Sequence, residues 1–144
     1  MTIPYGKQNI NEDDIRSVLD VLRSDTITQG TKVIDFEKEV AKYCGALYGV
    51  ASNSATSCLH IAMMSLGVAE GDIVWTSPIS FVATSNSALY CGAKVDFIDI
   101  SPISYNIDVE ILEDKLIKAE KIGRLPKIVV PVHLSGRSCE MERI

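Results

Sequence analysis

Residues 52–67, SNSATSCLHIAMMSLG, decide the fold because they join a short apolar segment to a helical pattern. The segment before the joint, ALYGVAS at residues 46–52, has the length and apolar character of a buried strand. After the joint, apolar side chains recur at helical spacing, namely Ala55, Cys58, Leu59, Ala62, Met63 and Leu66, and Gly67 ends the run. Five small or polar residues therefore occupy a predicted strand-to-helix turn.

The rest of the chain repeats this alternation. Strands are predicted in DIVWTSP (72–78), KVDFIDI (94–100) and KIVVPVH (127–133). Helices are predicted between them, in SFVATSNSALYCG (80–92) and after Asp108, which suits the N-cap position. Two further helices precede the joint, one capped by Asn11 and one running from about Thr31 to a stop at Gly45. Strands separated by helices predict an α/β fold with a mainly parallel sheet and right-handed crossovers, in a chain of one-domain length.

Composition excludes several classes of function. The 144 residues carry a net charge of −5 and a pI near 5.0, which argues against nucleic-acid binding and against an anionic membrane surface. The N-terminus lacks the apolar region of a signal peptide, and no apolar run reaches the length of a spanning helix. The four cysteines lie far apart and the chain has two histidines, so we expect buried, reduced thiols, no metal site and a cytoplasmic protein.

The joint has the composition of a phosphate cradle. The turn after a parallel strand lies at the carboxyl edge of the sheet, where α/β proteins bind ligands. The first helical turn offers unpaired N–H groups and a positive dipole end, and Ser54, Ala55, Thr56 and Ser57 would let a phosphate approach them. The glycine spacings of a dinucleotide site or a P-loop are absent. On these residues alone, a simple helix cap at Asn53 or Ser54 explains the pattern equally well.

A second strand end carries an aromatic residue. The run from Trp75 to Pro78 leads into Phe81 and the next helix. Phe81 could stack on a flat cofactor ring beside the cradle, although a core position is the commoner role for such a residue.

His60 and His133 have no evident catalytic partner and are interpreted as structural. Asp96 and Asp99 are expected on opposite faces of their strand, which does not suit a shared metal.

Four motifs together resemble one enzyme family. They are N-S-A-T-S-x-L-H, T-S-P-I-S-F-V-A-T, C-G-A-K-V-D-F-I-D-I and P-V-H-L-S-G, and they follow one another in the family's order. The chain is similar to the DegT/DnrJ/EryC1/StrS sugar aminotransferases, with its nearest likeness in the pseudaminic acid branch. The resemblance implies the pyridoxal-phosphate (PLP) transferase fold of type I, a three-layer αβα architecture. Residues 1–144 would form the N-terminal part of its PLP-binding large domain, within a longer enzyme.

The resemblance also implies site residues. Ala55 and Thr56 would hold the PLP phosphate with Ser57 adjacent, and Phe81 would stack on the pyridine ring. The nucleotide-sugar site would be lined by Tyr5, Asp25, Thr26, Ile27 and Thr28. The family's Schiff-base lysine and its pyridinium-binding aspartate have no matching motif here, so we expect no catalytic residue in this segment and no turnover by the segment alone.

The implied reaction moves an amino group, with glutamate as donor, to C4 of a UDP-linked 4-keto-6-deoxy sugar in a homodimeric enzyme. Two alternatives stay open. A PLP-dependent sugar dehydratase of the same fold would carry histidine in place of the lysine. A non-catalytic binding module would keep only the phosphate cradle. A Rossmann-type redox domain is disfavoured, because the chain has no glycine fingerprint.

Overall fold

The computed structural model describes residues 3–4 and 6–144, and these fall into two compact units. One unit ends at Ala51 and the other is Ser52–Ile144. In the described part of the chain, no helix combines the length and apolar character needed to cross a membrane.

The first unit contains two helices with the predicted ends. Helix α1 is Glu12–Leu22, and the Asn11 side chain accepts hydrogen bonds from the amides of Asp13 and Asp14. The Asp14 carboxylate in turn accepts the Asn11 amide at 2.9 Å, which completes a capping box. Helix α2 is Thr31–Cys44, and it ends at Gly45, whose φ of 66° is the left-handed conformation that favours glycine. Both predicted caps are confirmed.

The strand predicted at residues 46–52 is wrong for this structure. The segment is extended in part but forms no ladder with another strand among the described residues. It is held against α2 instead, because the Ala51 amide donates to Glu37 Oε1 at 2.8 Å. A Cβ on Gly49 would lie 2.4 Å from the Glu37 carbonyl oxygen, so only glycine fits this approach. A strand is defined by backbone pairing, and apolar composition alone does not supply a partner.

The apolar faces of α1 and α2 are largely exposed within their unit. Ala41 is buried, whereas the large apolar side chains of the two helices are exposed, namely Ile15, Val18, Leu19, Leu22, Val33, Phe36 and Val40. Burial within the described residues therefore contributes little to the stability of these two helices.

The second unit is built on a parallel sheet. Strands β1 (Ile73–Thr76), β2 (Lys94–Phe97) and β3 (Ile128–Val130) lie in the order β2-β1-β3. In register, Val74 of β1 is opposite Val95 of β2 and Ile128 of β3. The three predicted strands and their parallel pairing are confirmed, each shorter than the sequence pattern indicated.

Helices cover both faces of this sheet. Helices α3 (Ala55–Ser65) and α4 (Ala83–Tyr90) pack on one face, where Met63 and Ala88 meet Val74. Helix α5 (Val109–Lys121) packs on the other face, where Leu112 and Ala119 meet Trp75. The Asp108 side chain caps α5 as predicted. The α/β class and the three-layer αβα arrangement are therefore confirmed in Ser52–Ile144.

The buried face of α3 includes only part of the apolar pattern that the sequence shows. Met63 is buried and its helical neighbours Thr56, Leu59 and His60 are half-buried, at the spacing of one face. Ala55, Cys58, Ala62 and Leu66 belong to the same apolar pattern but are exposed, although the helix that this pattern predicts is confirmed. The helix is apolar on most sides, and its pattern therefore could not select which side packs against α4.

The expectation of buried thiols is also wrong in part. Cys139 is buried and Cys91 is half-buried, but Cys44 and Cys58 are exposed. All four are free thiols. An apolar helical context does not by itself determine which face of the helix a cysteine occupies.

Candidate cofactor site

Helices α3 and α4 both begin at the carboxyl edge of the sheet. Each leads into a strand, α3 into β1 and α4 into β2, so each runs antiparallel to the strands. Their other ends meet at the opposite edge, where a Cβ on Gly92 would lie 3.4 Å from Glu70 Cβ. The amino ends of α3 and α4 therefore face the edge at which parallel α/β sheets bind ligands.

The first turn of α3 has two free backbone donors. Ser54 Oγ accepts the amide of Ser57 at 3.2 Å, and the Ser57 hydroxyl donates to Asn53 Oδ1 at 2.7 Å. The amides of Ala55 and Thr56 have no acceptor among the described residues, and neither has the Thr56 hydroxyl a partner there. The cap at Ser54 thus coexists with an open pair of donors. A phosphate fits this arrangement, because it would accept both N–H groups at the positive end of the helix dipole.

Ser57 differs from its two neighbours. Its amide and its hydroxyl are both engaged, with Ser54 and Asn53, inside the capping network. The predicted set of Ala55, Thr56 and Ser57 therefore separates into two residues with free donors and one that shapes the turn.

Phe81 stands free at the amino end of α4. Its side chain is 75% exposed, so the alternative of a core position is wrong in this structure. The turn that carries it is fixed, since the Thr84 amide donates to the Phe81 carbonyl at 3.0 Å and the hydroxyls of Ser80 and Thr84 lie 2.8 Å apart. An exposed ring on a fixed turn can stack on a planar ligand.

The ends of β1 and β3 are tied together beside this turn. The buried Thr76 donates its hydroxyl to the Val130 carbonyl at 2.8 Å. Phe81 and His133 follow these two strand ends, at five and three residues' distance along the chain. The structure thus places an aromatic ring and an imidazole on segments that leave neighbouring strands at the same edge.

Asn106 organises the segment after β3. Its side chain is 4% exposed and makes three hydrogen bonds to that segment. Nδ2 donates to the carbonyls of Arg137 and Ser138 at 2.9 and 3.1 Å, and Oδ1 accepts the Leu134 amide at 3.0 Å. Sequence reasoning missed this residue, because an asparagine before a helix cap resembles an ordinary turn residue.

A second set of contacts joins Cys139 to His133 and Val132, within the segment that follows β3. His133 Nδ1 accepts the Cys139 amide at 3.0 Å, and Cys139 Sγ donates to the Val132 carbonyl at 3.2 Å. Burial raises the pKa of the Cys139 thiol, which keeps the thiol protonated as this donor. His133 itself is exposed.

The predicted sugar-nucleotide residues lie in the other unit. Asp25, Thr26, Ile27 and Thr28 are exposed in the turn between α1 and α2, and Tyr5 lies outside the described residues. The Ser24 hydroxyl donates to the Thr26 carbonyl at 3.2 Å. A Cβ on Gly30 would lie 3.0 Å from that same oxygen, so the turn is tightly closed. Thr26 and Ile27 line a small depression of about 150 Å³ there.

Charged pairs lie away from the α3 turn. The ammonium of Lys115 lowers the pKa of Asp96 by a side-chain hydrogen bond and forms an ion pair with it at 2.7 Å. Lys127 lowers the pKa of Asp72 in the same way, at 3.0 Å. Glu110 and Glu140 raise the pKa of Arg143. These pairs connect elements of the unit, and in the described residues no cluster of His, Cys, Asp and Glu suits a metal ion.

Comparison with known proteins gives a consistent picture. Residues 8–144 match the model of the DegT/DnrJ/EryC1/StrS aminotransferase family. The chain is 43% identical, over 143 residues, to the UDP-4-amino-4,6-dideoxy-N-acetyl-beta-L-altrosamine transaminase of Campylobacter jejuni, covering 99% of this chain and 36% of that protein.

Two solved structures extend the comparison. The Helicobacter pylori aminotransferase PseC, involved in pseudoaminic acid biosynthesis, superposes with a TM-score of 0.86 at 32% identity, over 98% of this chain and 37% of that one. NtdA from Bacillus subtilis, with bound cofactor PMP (pyridoxamine phosphate), gives a TM-score of 0.79 at 29% identity, over 94% of this chain and 31% of that one.

The chain spans about a third of the length of the curated relatives it matches. The family model nevertheless covers nearly all of its residues, including both the α3 turn and Phe81. The fold, the sequence motifs and the family match agree. The chain belongs to the DegT/DnrJ/EryC1/StrS aminotransferase family.

Proposed function

We propose that this chain is the cofactor-anchoring part of a PLP-dependent nucleotide-sugar aminotransferase. Residues 1–144 would be the N-terminal part of its PLP-binding large domain. The observation that carries the proposal is the pair of amides at Ala55 and Thr56, which have no acceptor among the described residues and lie at a helix N-terminus within the stretch that the family model matches.

Each site residue has a physical role in this proposal. The Ala55 and Thr56 amides and the Thr56 hydroxyl would donate to the cofactor phosphate and so hold one end of the cofactor. Phe81 would stack on the cofactor ring and exclude water from it. Ser54 and Ser57 keep the first turn of α3 in the conformation that presents those amides.

Pyridoxal phosphate, when bound, supplies an aldehyde that carries the amino group and a ring that withdraws electrons. The residues of this chain contribute binding and orientation to that chemistry. No lysine among them stands in the family's S-F-x-x-x-K context. We therefore propose that the 144 residues are inactive by themselves.

The proposed substrates follow from the relatives. The Campylobacter jejuni relative is named for a UDP-linked 4-amino-4,6-dideoxy sugar, and PseC is described as acting in pseudoaminic acid biosynthesis. We therefore propose a UDP-linked 4-keto-6-deoxy sugar as acceptor and glutamate as donor. The turn at Asp25, Thr26, Ile27 and Thr28, together with Tyr5, would contact the nucleotide sugar. A cytoplasmic homodimer is part of the same proposal.

An isotope-transfer assay tests the proposal. The intact protein that carries this chain is incubated with PLP, ¹⁵N-glutamate and the UDP-linked 4-keto-6-deoxy sugar, and the sugar product is analysed by mass spectrometry. We expect labelled nitrogen in a UDP-4-amino sugar. Loss of a sugar hydroxyl without nitrogen gain would indicate the dehydratase alternative, and PLP binding without either reaction would indicate the binding module.

A further inference from the structure

We propose that His133 binds a ligand oxygen at the carboxyl edge of the sheet and that Asn106 is the residue that positions it. This inference rests on the proposed function and deepens it. It assigns a role to an imidazole and to a buried amide that the cofactor cradle does not use.

The imidazole of His133 is held in one tautomer. Because Nδ1 accepts the Cys139 amide at 3.0 Å, it carries no hydrogen, and in the neutral ring the hydrogen lies on Nε2. Among the described residues nothing accepts from Nε2, and the residue is exposed. The ring therefore presents one N–H donor outward.

The position of this donor fits the proposed site. His133 follows β3 by three residues, and Phe81 follows β1 by five. The two strands pair directly, and Thr76 Oγ1 donates to the Val130 carbonyl at 2.8 Å where they end. An N–H donor and an exposed aromatic ring thus leave adjacent strand ends at the edge that binds ligands in this class of fold.

Asn106 holds the segment that carries the donor. Its amide bonds the backbone at Leu134, Arg137 and Ser138, and it is itself 4% exposed. Within the bonded stretch, Ser135 has a φ of 53°, the left-handed region that a serine rarely adopts. The three hydrogen bonds of one buried side chain hold the stretch that contains Ser135, and residues in such sparsely populated conformations cluster at functional sites.

The chemistry recognised is an oxygen acceptor with negative charge. Two sources are compatible with the proposed reaction, an oxygen of the PLP cofactor or the carboxylate of the amino donor. A single N–H to a charged oxygen commonly changes affinity by about tenfold or more, so the loss of this donor is measurable.

The decisive variants are His133→Phe, which removes the donor, and His133→Gln, which keeps an N–H. His60→Phe is the matched control, since His60 contacts Tyr90 edge-to-face with ring centroids 5.4 Å apart and lies in the middle of α3. The intact protein is measured for PLP affinity by absorption titration, for the KM of glutamate, and for thermal unfolding without cofactor.

We expect His133→Phe to weaken one ligand by about tenfold. Because the Cys139 amide also loses its acceptor, this variant should unfold at a lower temperature than the control, so affinities are compared at a temperature at which both variants are folded. A raised Kd for PLP with a shifted absorption band would identify the cofactor as the acceptor. An unchanged Kd with a raised glutamate KM would identify the donor carboxylate. His133→Gln should recover part of the loss.

The role of Asn106 is tested by a double-mutant cycle. Asn106→Asp keeps the oxygen that accepts the Leu134 amide but removes both Nδ2 donors. If Asn106 acts through His133, the double variant Asn106→Asp/His133→Phe binds ligand no more weakly than His133→Phe alone. Additive losses would overturn the positioning role.

The proposal on His133 is overturned if His133→Phe and His60→Phe bind PLP and glutamate as the unchanged protein does. If the unchanged protein itself does not bind PLP, the proposed function fails, and this inference fails with it. The two failures are therefore distinguished by the unchanged protein.

Discussion

Ser54 Oγ accepts the amide of Ser57 at 3.2 Å, whereas the two amides between them, those of Ala55 and Thr56, have no acceptor among the described residues. A helix N-terminus has more donors than one side chain can satisfy. The cap and the proposed phosphate site are therefore parts of one turn, and variants can separate them.

Removal of the Thr56 hydroxyl tests the cradle. Thr56→Val keeps the shape of the side chain and loses only a hydroxyl that has no partner among the described residues. We expect the PLP Kd to rise by about tenfold, which corresponds to about 1.4 kcal/mol, with an unchanged unfolding midpoint. Thr56→Ser is the control and should bind PLP nearly as the unchanged protein does. Equal affinities for all three proteins would remove Thr56 from the site.

Changes at Ser54 test the cap separately. Ser54→Ala removes the acceptor of the Ser57 amide and should lower the free energy of unfolding by about 1 kcal/mol, whereas Ser54→Gly should cost only about a few tenths. Urea unfolding of both variants measures the difference. If Ser54→Ala is as stable as the unchanged protein, the bond does not contribute as a cap.

Phe81 should matter for binding and not for folding. Its ring is 75% exposed, so Phe81→Ala should change the free energy of unfolding by less than about 0.5 kcal/mol. Loss of the stacking surface should nevertheless weaken PLP binding, and Phe81→Tyr should retain it. Absorption titration with PLP and urea unfolding check the two halves. A large loss of stability with unchanged PLP affinity would indicate that Phe81 is a core residue and not a cofactor contact.

Gly49 should resist substitution. A Cβ there would meet the Glu37 carbonyl at 2.4 Å, whereas at Gly6 it would meet nothing within 4 Å. We expect Gly49→Ala to destabilise the protein by about 1–3 kcal/mol and Gly6→Ala to be neutral, as measured by urea unfolding. Equal stability of the two variants would contradict the described approach of this segment to α2.

The ion pair of Asp96 predicts an acid dependence. Lys115 lowers the pKa of Asp96 below its ordinary value of 3.8, so the folded state binds the proton less readily than the unfolded state does. The pair therefore stabilises the fold above pH 3.8, and this contribution is lost as the pH falls from there through the lower, folded pKa. Asp96→Asn should flatten this part of the stability profile, measured by urea midpoints across that pH range. A profile as steep as that of the unchanged protein would contradict the assignment.

Sequence reasoning found the features that local chemistry determines. Two helices begin after Asn11 and Asp108 as predicted, and one ends at Gly45 as predicted, because a cap depends on residues only three or four positions away. It failed where the outcome depends on distant partners. The segment at residues 46–52 had the composition of a strand but no neighbour to pair with among the described residues.

In the candidate site, too, the sequence indicated the features set by local chemistry and missed those set by distant partners. The sequence indicated the α3 turn and Phe81 through motif composition at predicted strand ends. It could not indicate Asn106, whose bonding partners lie 28 to 32 residues away. Nor could it show that a backbone amide six residues on would select the tautomer of His133.

One measurement tests the phosphate cradle most directly. The intact protein is prepared with ¹⁵N in its alanine and threonine amides, and spectra are recorded with PLP and with pyridoxal, which lacks the phosphate. We predict that PLP moves the Ala55 and Thr56 amide resonances strongly and that pyridoxal leaves both nearly in place. Bound PLP that leaves these two resonances unmoved would contradict the assignment of the α3 turn as the phosphate site.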